Sequence, residues 1–454
     1  MPDWKAELED LVMPAVARSQ HIDRIVMDSG ALEKTAAVFA ECFGETSAFL
    51  VADDNTFAAA GRDVVGYLTA AGVACETLIL PAEPRPKPSL ERSAEVRRRW
   101  KATSPGAVPV AVGSGVINDL VKHAAFEEGR AFFCVATAAS MDGYASAGAP
   151  LVDRGFKHTI PCAPPRAILA DLDVIAAAPP EMTGWGYGDL AGKVPAGGDW
   201  ILADALGVEP LDDVAWPLVQ DRLRSWLADP AALRNGSAGA MAGLFAGLTV
   251  TGLAMEFHGS SRPASGADHQ IAHLWEMENL SHEGLPVSHG ACVAIGSLTV
   301  LALFDWLIDQ DLKRLEPEKI LAQALDFKEI EAAIHAAFPI AAVAERALTE
   351  SKAKHLSKTA HADRLALIKD SWPALRQRLK AQLLRFDAMR DLLAAAGAPT
   401  LAAEIGLSAE HHKATVIRAR YLRSRYTILD FLSETGLLEA ATEAVFQGNG
   451  HLRS

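Results

Sequence analysis

The sequence predicts an α/β domain followed by an all-α domain. Between residues 21 and 136, short apolar stretches alternate with helix-like stretches. Beyond residue 173 the strand pattern fades and helical stretches succeed one another. A strand–helix alternation favours a mostly parallel sheet with helices on both faces. We therefore expect an α/β domain over residues 1–175 and a helical domain, with a C-terminal helical extension, over residues 176–454.

The predicted strands of the first half are short and apolar. They cover residues 21–27, 47–52, 75–80, 108–112 and 131–136, and the helices between them cover residues 31–43, 56–71, 90–103 and 116–128. In such a sheet, ligands bind at the carboxyl ends of the strands. The turns that follow the strands are therefore where we expect a binding site.

The second half is predicted to be helical throughout. Helices are expected over residues 201–206, 216–227, 231–256, 270–276, 292–312, 316–325, 330–348, 372–396 and 408–446. Residues 231–256 are rich in Gly and Ala, which favours a closely packed core helix over a membrane span. We expect no membrane partner.

The composition restricts the class of partner. The 454 residues carry a net charge of −14, with 50% hydrophobic and 22% charged residues. Nucleic acid is not an expected partner, because phosphate backbones bind basic faces, whereas a small anionic substrate can bind in a locally basic pocket. Five scattered cysteines without a CxxC pair indicate buried thiols in a reducing compartment. Since residues 1–19 lack a signal-peptide pattern, we expect a cytoplasmic protein.

The turns after two predicted strands suit a dinucleotide. The candidate cofactor-binding residues there are Gly113, Gly115, Asn118 and Asp119 after one strand, and Asp53 after another. Small residues let the backbone approach a pyrophosphate at a helix N-terminus, and an acid in the second turn can bind two ribose hydroxyls. For both turns, the alternative is a plain strand-to-helix turn with an Asp or Asn cap.

A polar loop follows the strand predicted over residues 131–136. Thr137, Ser140 and Ser146 carry hydroxyls that can bond a phosphate, a ribose or a nicotinamide amide. Asp142, in the same loop, is a candidate for binding a substrate hydroxyl. A polar loop that binds nothing is the alternative.

Three histidines and one aspartate suggest a metal site. His269 and His273 are four residues apart and share one helix face, and His289 precedes an apolar helical stretch. Asp189 lies upstream, in Gly-Tyr-Gly-Asp-Leu. One carboxylate and two imidazoles form a facial set for a divalent metal that leaves positions open for substrate. Surface or core histidines without a metal are the alternative.

The order of these motifs resembles a known family. The chain carries, in succession, Gly-Ser-Gly-x-x-Asn-Asp, Thr-x-x-Ser-Met-Asp-Gly-Tyr-x-Ser, Gly-Asp-Leu-x-x-Lys, Ser-Gly-x-x-His-x-x-x-His and Ser-His-Gly. Over residues 20–310 it resembles the bacterial type of glycerol-1-phosphate dehydrogenase, within the superfamily of iron-type alcohol dehydrogenases, glycerol dehydrogenases and dehydroquinate synthases. Residues 419–427 also look like the bacterial branch. The resemblance implies a dehydroquinate synthase-like architecture with the active site in the interdomain cleft.

The resemblance also implies roles for individual residues. Asp189, His269 and His289 match the ligands of one divalent metal ion, for which zinc, nickel and iron are all suitable. Asp142, Asp189 and His273 match positions that contact substrate, with His273 also a candidate proton carrier. The positions that match NAD- or NADP-binding residues are Asp53, Gly115, Asp119, Thr137, Ser140 and Ser146. Lys193 and Arg262 are candidates for binding the substrate phosphate, although Gly192 stands where the family usually has alanine.

The implied reaction is the reversible, NAD(P)H-dependent reduction of dihydroxyacetone phosphate to sn-glycerol 1-phosphate. Three alternatives remain open: a dehydrogenase of another polyol or polyol phosphate, a dehydroquinate synthase-like cyclase, and a catalytically silent sugar-phosphate-binding protein. We expect a homodimer or a larger homo-oligomer, with the helical tail as a contact.

Overall fold

The computed structural model describes residues 5, 8–153, 156–448 and 450–452; part of the stretch 1–19, discussed above, lies outside these ranges. The chain forms two compact units. The first comprises Met1–Leu190, Pro217–Ser260 and Ala395–Ala398, and the second comprises Ala191–Trp216, Ser261–Ala394 and Pro399–Ser454. The units thus interleave along the chain, whereas the sequence predicted a single boundary after residue 175.

The first unit contains a six-stranded parallel sheet with the strand order β1-β8-β5-β4-β2-β3. The strands are β1 Arg24–Asp28, β2 Ala48–Asp53, β3 Cys75–Leu80, β4 Val108–Gly113, β5 Phe133–Ala136 and β8 Ala167–Asp171. Strands β6 Gly148–Asp153 and β7 Phe156–Pro161 form a separate antiparallel hairpin. The predicted parallel α/β architecture is confirmed, while β6, β7 and β8 were not predicted.

The helices of this unit include the predicted ones between strands β1 and β5, and others that were not predicted. They are Met13–Val16, Thr35–Phe43, Leu90–Thr103, Gly115–Glu127, Leu172–Ala176, Pro180–Ala191, Ala215–Trp226, Pro230–Arg234 and Ala238–His258, together with a continuous helical segment made of Asp54–Thr56, Phe57–Gly61 and Arg62–Ala70. Strands β2, β4 and β5 are almost wholly buried between these helices. This rigid centre fixes the positions of the turns at the strand ends.

The glycine-rich helix Ala238–His258 belongs to the first unit, and its small residues allow close packing. A Cβ atom on Gly252 would lie 3.0 Å from the Asp142 carbonyl oxygen and 2.9 Å from the Ala145 Cβ. Among the described residues, two helices, Ala238–His258 and His289–Ile308, are long and apolar enough to cross a membrane, but 72% and 94% of their most apolar 18-residue windows are buried within the protein. They are therefore core helices by packing.

Over its described residues, the regular structure of the second unit is helical apart from a short hairpin, β9 Ser281–His282 and β10 Leu285–Pro286. Its helices are Lys193–Ala205, Ala267–Met277, His289–Ile308, Pro317–Gln323, Phe327–Ala337, Ala341–Lys354, Lys358–Gln382, Phe386–Ala396, Ala409–Ala419, Ile428–Glu434 and Leu438–Phe446. The predicted helix 408–446 is divided into three. One break falls at Gly436, whose φ of 69° lies in the left-handed region and cannot continue a right-handed helix.

Candidate active site

The turn after β4 brings the main chain to a helix N-terminus. Ser114 has extended backbone angles, and the helix Gly115–Glu127 begins at the next residue. A Cβ atom on Gly113 would lie 2.7 Å from the Cβ of Ile117, so the turn requires a glycine at position 113. The first N–H groups of such a helix are suitable donors for a phosphate.

Asp53 ends the neighbouring strand, and its carboxylate caps a helix. Its Oδ1 accepts a hydrogen bond from the Thr56 N–H at 2.8 Å, while the Thr56 hydroxyl accepts from the Asp53 N–H at 3.0 Å. Strands β2 and β4 are paired in parallel, so Asp53 and the Gly113 turn lie at the same edge of the sheet. The capping role is therefore established, and a ribose contact would be additional to it.

A buried lysine holds the loop from Thr137 to Ser146 in place. The Lys122 ammonium donates hydrogen bonds to the carbonyl oxygens of Gly143, Ser146 and Gly148 at 2.7, 3.0 and 3.1 Å. Burial lowers the pKa of Lys122 from its ordinary value, and nearby Asp119 opposes that shift. Sequence reasoning missed this lysine, although a cation inside the apolar stretch Leu-Val-Lys-His-Ala-Ala was a signal.

The same loop holds its predicted cofactor residues near the glycine turn. The Thr137 N–H donates to the Gly113 carbonyl oxygen at 3.2 Å, and the buried Tyr144 hydroxyl donates to the Ala138 carbonyl oxygen at 2.8 Å. The Ser146 hydroxyl lies 3.0 Å from the Gly143 carbonyl oxygen. The main chain of Thr137 is thus bonded to the turn after β4, and the hydroxyl of Ser146 is bonded within its own loop.

Asp189 is completely buried on the helix Pro180–Ala191 and is bound by the same loop. Its Oδ2 accepts a hydrogen bond from the Asp142 N–H at 3.0 Å. The two aspartates that were predicted to contact substrate are therefore adjacent in the first unit. A buried carboxylate is costly unless it is paired or binds a cation, which makes Asp189 a suitable metal ligand.

In the second unit, a buried aspartate fixes the start of the histidine-bearing helix Ala267–Met277. The Asp199 carboxylate accepts hydrogen bonds from the N–H groups of Ala267 and Ile428 at 2.6 and 2.7 Å. Burial raises the pKa of Asp199 to about 7, and these two N–H donors oppose the shift. A Cβ atom on Gly266 would lie 2.3 Å from Asp199 Oδ2, so the helix begins in direct contact with this carboxylate.

Of the two predicted phosphate ligands, Arg262 has a structural role. Its guanidinium is fully buried and donates to the carbonyl oxygens of Asp199 and Tyr426, both at 2.9 Å, with Glu209 3.3 Å from Nε. Lys193 is also fully buried. Arg262 therefore joins three segments of the second unit rather than presenting its charge to a ligand.

Three imidazole rings converge in the second unit. The ring centroids of His269, His273 and His289 are separated by 5.3 to 6.0 Å. The Nδ1 atom of His269 lies 2.7 Å from an oxygen of Asp268, and the Nδ1 atom of His289 lies 2.9 Å from an oxygen of Glu276. With Nδ1 engaged on both rings, Nε2 is the nitrogen that can bind a metal.

The half-buried His273 has a different environment. Desolvation lowers the pKa of His273 well below its ordinary value; Glu276 opposes the shift, and the charges of His289, Arg423 and His269 add to it. The ring is therefore neutral near pH 7. Arg423, in the tail segment that looks like the bacterial branch, thus contributes positive potential at His273.

The donor atoms fit a divalent transition metal. Imidazole nitrogens suit zinc, nickel and iron, and one carboxylate oxygen added to two imidazoles is a common catalytic set. The buried Asp189 carboxylate in the first unit and the Nε2 atoms of His269 and His289 in the second unit are donors of these types.

Comparisons with known proteins agree with this chemistry. Residues 26–179 match the model of the iron-containing alcohol dehydrogenase family. The chain is 36% identical over 244 residues to a glycerol-1-phosphate dehydrogenase of Bacillus velezensis that uses NAD(P)+, and the match covers 54% of this chain and 62% of that enzyme. It is 34% identical over 271 residues to the enzyme of the same name from Bacillus subtilis, covering 60% of this chain and 69% of that enzyme.

The fold has solved counterparts. A probable glycerol dehydrogenase from Sinorhizobium meliloti 1021 superposes over 93% of this chain and 98% of its own, with a TM-score of 0.58 and 16% sequence identity. The architecture is that of the iron-type alcohol dehydrogenase class. Within that class, the chain belongs to the glycerol-1-phosphate dehydrogenase family. The family and the fold class predicted from the sequence are confirmed, and the aligned segment spans about two thirds of the relatives' length.

Proposed function

We propose that this protein catalyses the NAD(P)H-dependent reduction of dihydroxyacetone phosphate to sn-glycerol 1-phosphate, with one divalent metal ion held by Asp189, His269 and His289. Family membership supports the reaction. The observation that carries the metal assignment is the pairing of Nδ1 with a carboxylate on both His269 and His289, because it leaves Nε2 of each ring as the metal-binding atom.

The first unit supplies the cofactor contacts in this proposal. The Gly113–Gly115 turn and the helix N-terminus after it receive the pyrophosphate, and Asp53 binds the ribose. The residues that complete the dinucleotide contacts are Asn118, Asp119, Thr137, Ser140 and Ser146. The buried Lys122 supports them by fixing the loop from Thr137 to Ser146. Asp53 favours NADH over NADPH, because its charge repels a 2′-phosphate.

Side chains next to the proposed metal ligands would orient the substrate. When bound, a divalent metal polarises the ketone and stabilises negative charge on its oxygen. Asp142, whose main chain binds Asp189, accepts a hydrogen bond from a substrate hydroxyl. The neutral His273 donates a hydrogen bond to substrate and passes a proton from solvent as hydride adds to the carbonyl carbon.

The phosphate requires cations in a chain whose overall charge is −14. Because Arg262 is engaged with main-chain carbonyl groups, we assign this role to Lys193 and Arg423. Arg423 is largely buried, which lowers its pKa, and its charge acts on His273. Planar guanidinium groups bind phosphate oxygens in pairs.

We also propose a cellular location and an assembly for the protein. An acidic chain with its two most apolar helices buried in the core is suited to the cytoplasm, without nucleic acid or membrane partners. A homodimer or a larger homo-oligomer is proposed, with the helical tail as the contact.

A substrate panel tests the proposed reaction. Purified protein reconstituted with zinc, nickel or iron would be assayed for NADH and NADPH oxidation with dihydroxyacetone phosphate and with dihydroxyacetone. The reverse reaction would be assayed with sn-glycerol 1-phosphate, sn-glycerol 3-phosphate and glycerol. We expect turnover of dihydroxyacetone phosphate in the reductive direction and of sn-glycerol 1-phosphate in the reverse direction. Turnover of glycerol alone would instead indicate a glycerol dehydrogenase, and no turnover of any compound would favour a cyclase or a silent binding protein.

A further inference from the structure

We propose that Asp268 and Glu276 are positioning residues that set the tautomer and the metal affinity of the histidine pair. The inference deepens the proposed function, because it rests on His269 and His289 as metal ligands. It assigns two carboxylates that would not themselves bind the metal, and it predicts how strongly each one contributes.

The hydrogen bonds of Asp268 fix the tautomer of His269. This carboxylate is fully buried, and its two oxygens have separate partners: Oδ1 accepts from the Gly266 N–H at 3.0 Å, and Oδ2 lies 2.7 Å from Nδ1 of His269. An ionised carboxylate only accepts hydrogen bonds, so Nδ1 of His269 must carry the proton. The lone pair of His269 is therefore on Nε2.

Glu276 acts in the same way on the second ligand from the other end of the helix Ala267–Met277. Its Oε1 lies 2.9 Å from Nδ1 of His289, which begins the following long helix. Its side chain is 7% exposed, whereas that of His289 is 27% exposed. A nearly buried carboxylate thus holds the ring of His289, the more accessible of the two rings. A more accessible ring is less restrained by packing and depends more on a hydrogen-bond partner to keep one orientation.

The electrostatic consequence is an increase in metal affinity. Two carboxylates placed behind neutral imidazoles raise the basicity of the rings and add negative charge close to the metal. Loss of such a partner typically weakens metal binding by about 10- to 100-fold.

A competing arrangement makes Glu276 a direct ligand. One oxygen of Glu276 and nitrogens of His273 and His289 all lie within 4.8 Å of one another. The present Nδ1–carboxylate bond argues against it, because a proton shared between Glu276 and His289 occupies the atoms that would otherwise bind the ion. The two arrangements predict different results for a conservative substitution.

The test measures metal affinity without substrate. Full-length protein stripped of metal would be titrated with zinc and with nickel against a chelator of known affinity. The variants are Glu276→Ala, Glu276→Gln, Asp268→Asn and, as the reference for a lost ligand, His289→Ala. A matched control is Glu278→Gln at the end of the same helix, because Glu278 also pairs with a histidine, His411, at 2.7 Å, but that histidine is not a proposed ligand. Thermal melting of the metal-free proteins reports whether each variant folds.

We expect Glu276→Ala to weaken metal binding by about 10- to 100-fold. Glu276→Gln should retain most of the affinity, because its amide oxygen can still accept from the His289 Nδ1. Asp268→Asn should weaken binding more than Glu276→Gln, because one amide cannot accept from both Gly266 and His269. The Glu278→Gln control should match the wild type.

Three results would overturn the inference. If Glu276→Ala binds metal as tightly as Glu278→Gln, the carboxylate does not position the ligand. If Glu276→Gln loses metal as completely as His289→Ala, Glu276 is itself a ligand. Wild-type protein that binds metal but does not turn over dihydroxyacetone phosphate would refute the proposed function and leave this inference standing, whereas wild-type protein that binds no metal would refute both.

Discussion

Gly186 lies so close to Ala139 that a Cβ atom at position 186 would be 1.8 Å from the Ala139 carbonyl oxygen. The helix that carries Asp189 is therefore in main-chain contact with the loop that carries Asp142. This contact explains how the Asp142 N–H reaches the Asp189 carboxylate. The position of the buried aspartate thus depends on the absence of a side chain three residues earlier.

The first prediction concerns this glycine. Gly186→Ala must move the helix or the loop, because the clashing atoms belong to the main chain. We expect a stability loss of roughly 1–3 kcal/mol and weaker metal binding. Gly66→Ala is the control, because that helical glycine has no heavy atom within 4 Å of its added Cβ; its melting temperature should hold or rise slightly. Equal melting temperatures and metal affinities for the two variants would contradict the proposed positioning.

The second prediction separates the two roles of Asp53. Asp53→Asn keeps an oxygen for the Thr56 N–H but removes the negative charge, so stability should change little while the relative use of NADPH improves. Asp53→Ala should in addition lose about 0.5–2 kcal/mol with the cap. Asp326→Ala, which removes another capping box, controls for stability loss alone. Cofactor preference unchanged in Asp53→Asn would mean that Asp53 only caps the helix.

The third prediction concerns His273. We expect His273→Ala to keep the metal and to lose about 100- to 10,000-fold in kcat, because the ring serves substrate and proton transfer rather than the metal. Metal content and the pH–rate profile would be measured on the same preparation, with His411→Ala as the control for loss of an imidazole. Loss of metal together with activity would show that His273 is a ligand.

The fourth prediction concerns stability against pH. Burial raises the pKa of Glu434 to about 7, and the hydrogen bond from Tyr426 partly opposes the shift. A carboxyl group whose pKa is raised on folding stabilises the protein at low pH, and this contribution is lost as the pH rises from about 4.5 through about 7. Between pH 5 and pH 8, the melting temperature of Glu434→Gln should therefore fall less than that of the wild type. Parallel melting curves for the two proteins would contradict this.

The sequence predicted the alternation of the first unit well, but not all of its strands. Strand β8, Ala167–Asp171, was missed although it lies between β1 and β5. Five buried residues without polar alternation give no periodic signal. The membership of Ala238–His258 in the first unit was missed for a related reason: its packing depends on contacts of Gly252 with a distant loop, which local patterns do not contain.

The candidate site was predictable as a set of residue types, but not as a set of contacts. The spacing of His269 and His273, and the motif around His289, identified the imidazoles. The carboxylates behind them were not identified, because Glu276 meets His289 only through the tertiary fold. The structural role of Arg262 was likewise invisible, since its partners are main-chain carbonyl groups 63 and 164 residues away.

The most direct test of the account is removal and return of the metal, followed through turnover of dihydroxyacetone phosphate with NADH and NADPH. Metal-free protein should stay folded and inactive, and about one equivalent of zinc, nickel or iron per chain should restore activity. Added metal should not restore the activity of Asp189→Ala, His269→Ala or His289→Ala, whereas it should restore that of His411→Ala. Metal-free protein that reduces dihydroxyacetone phosphate at the undiminished rate would contradict the central claim.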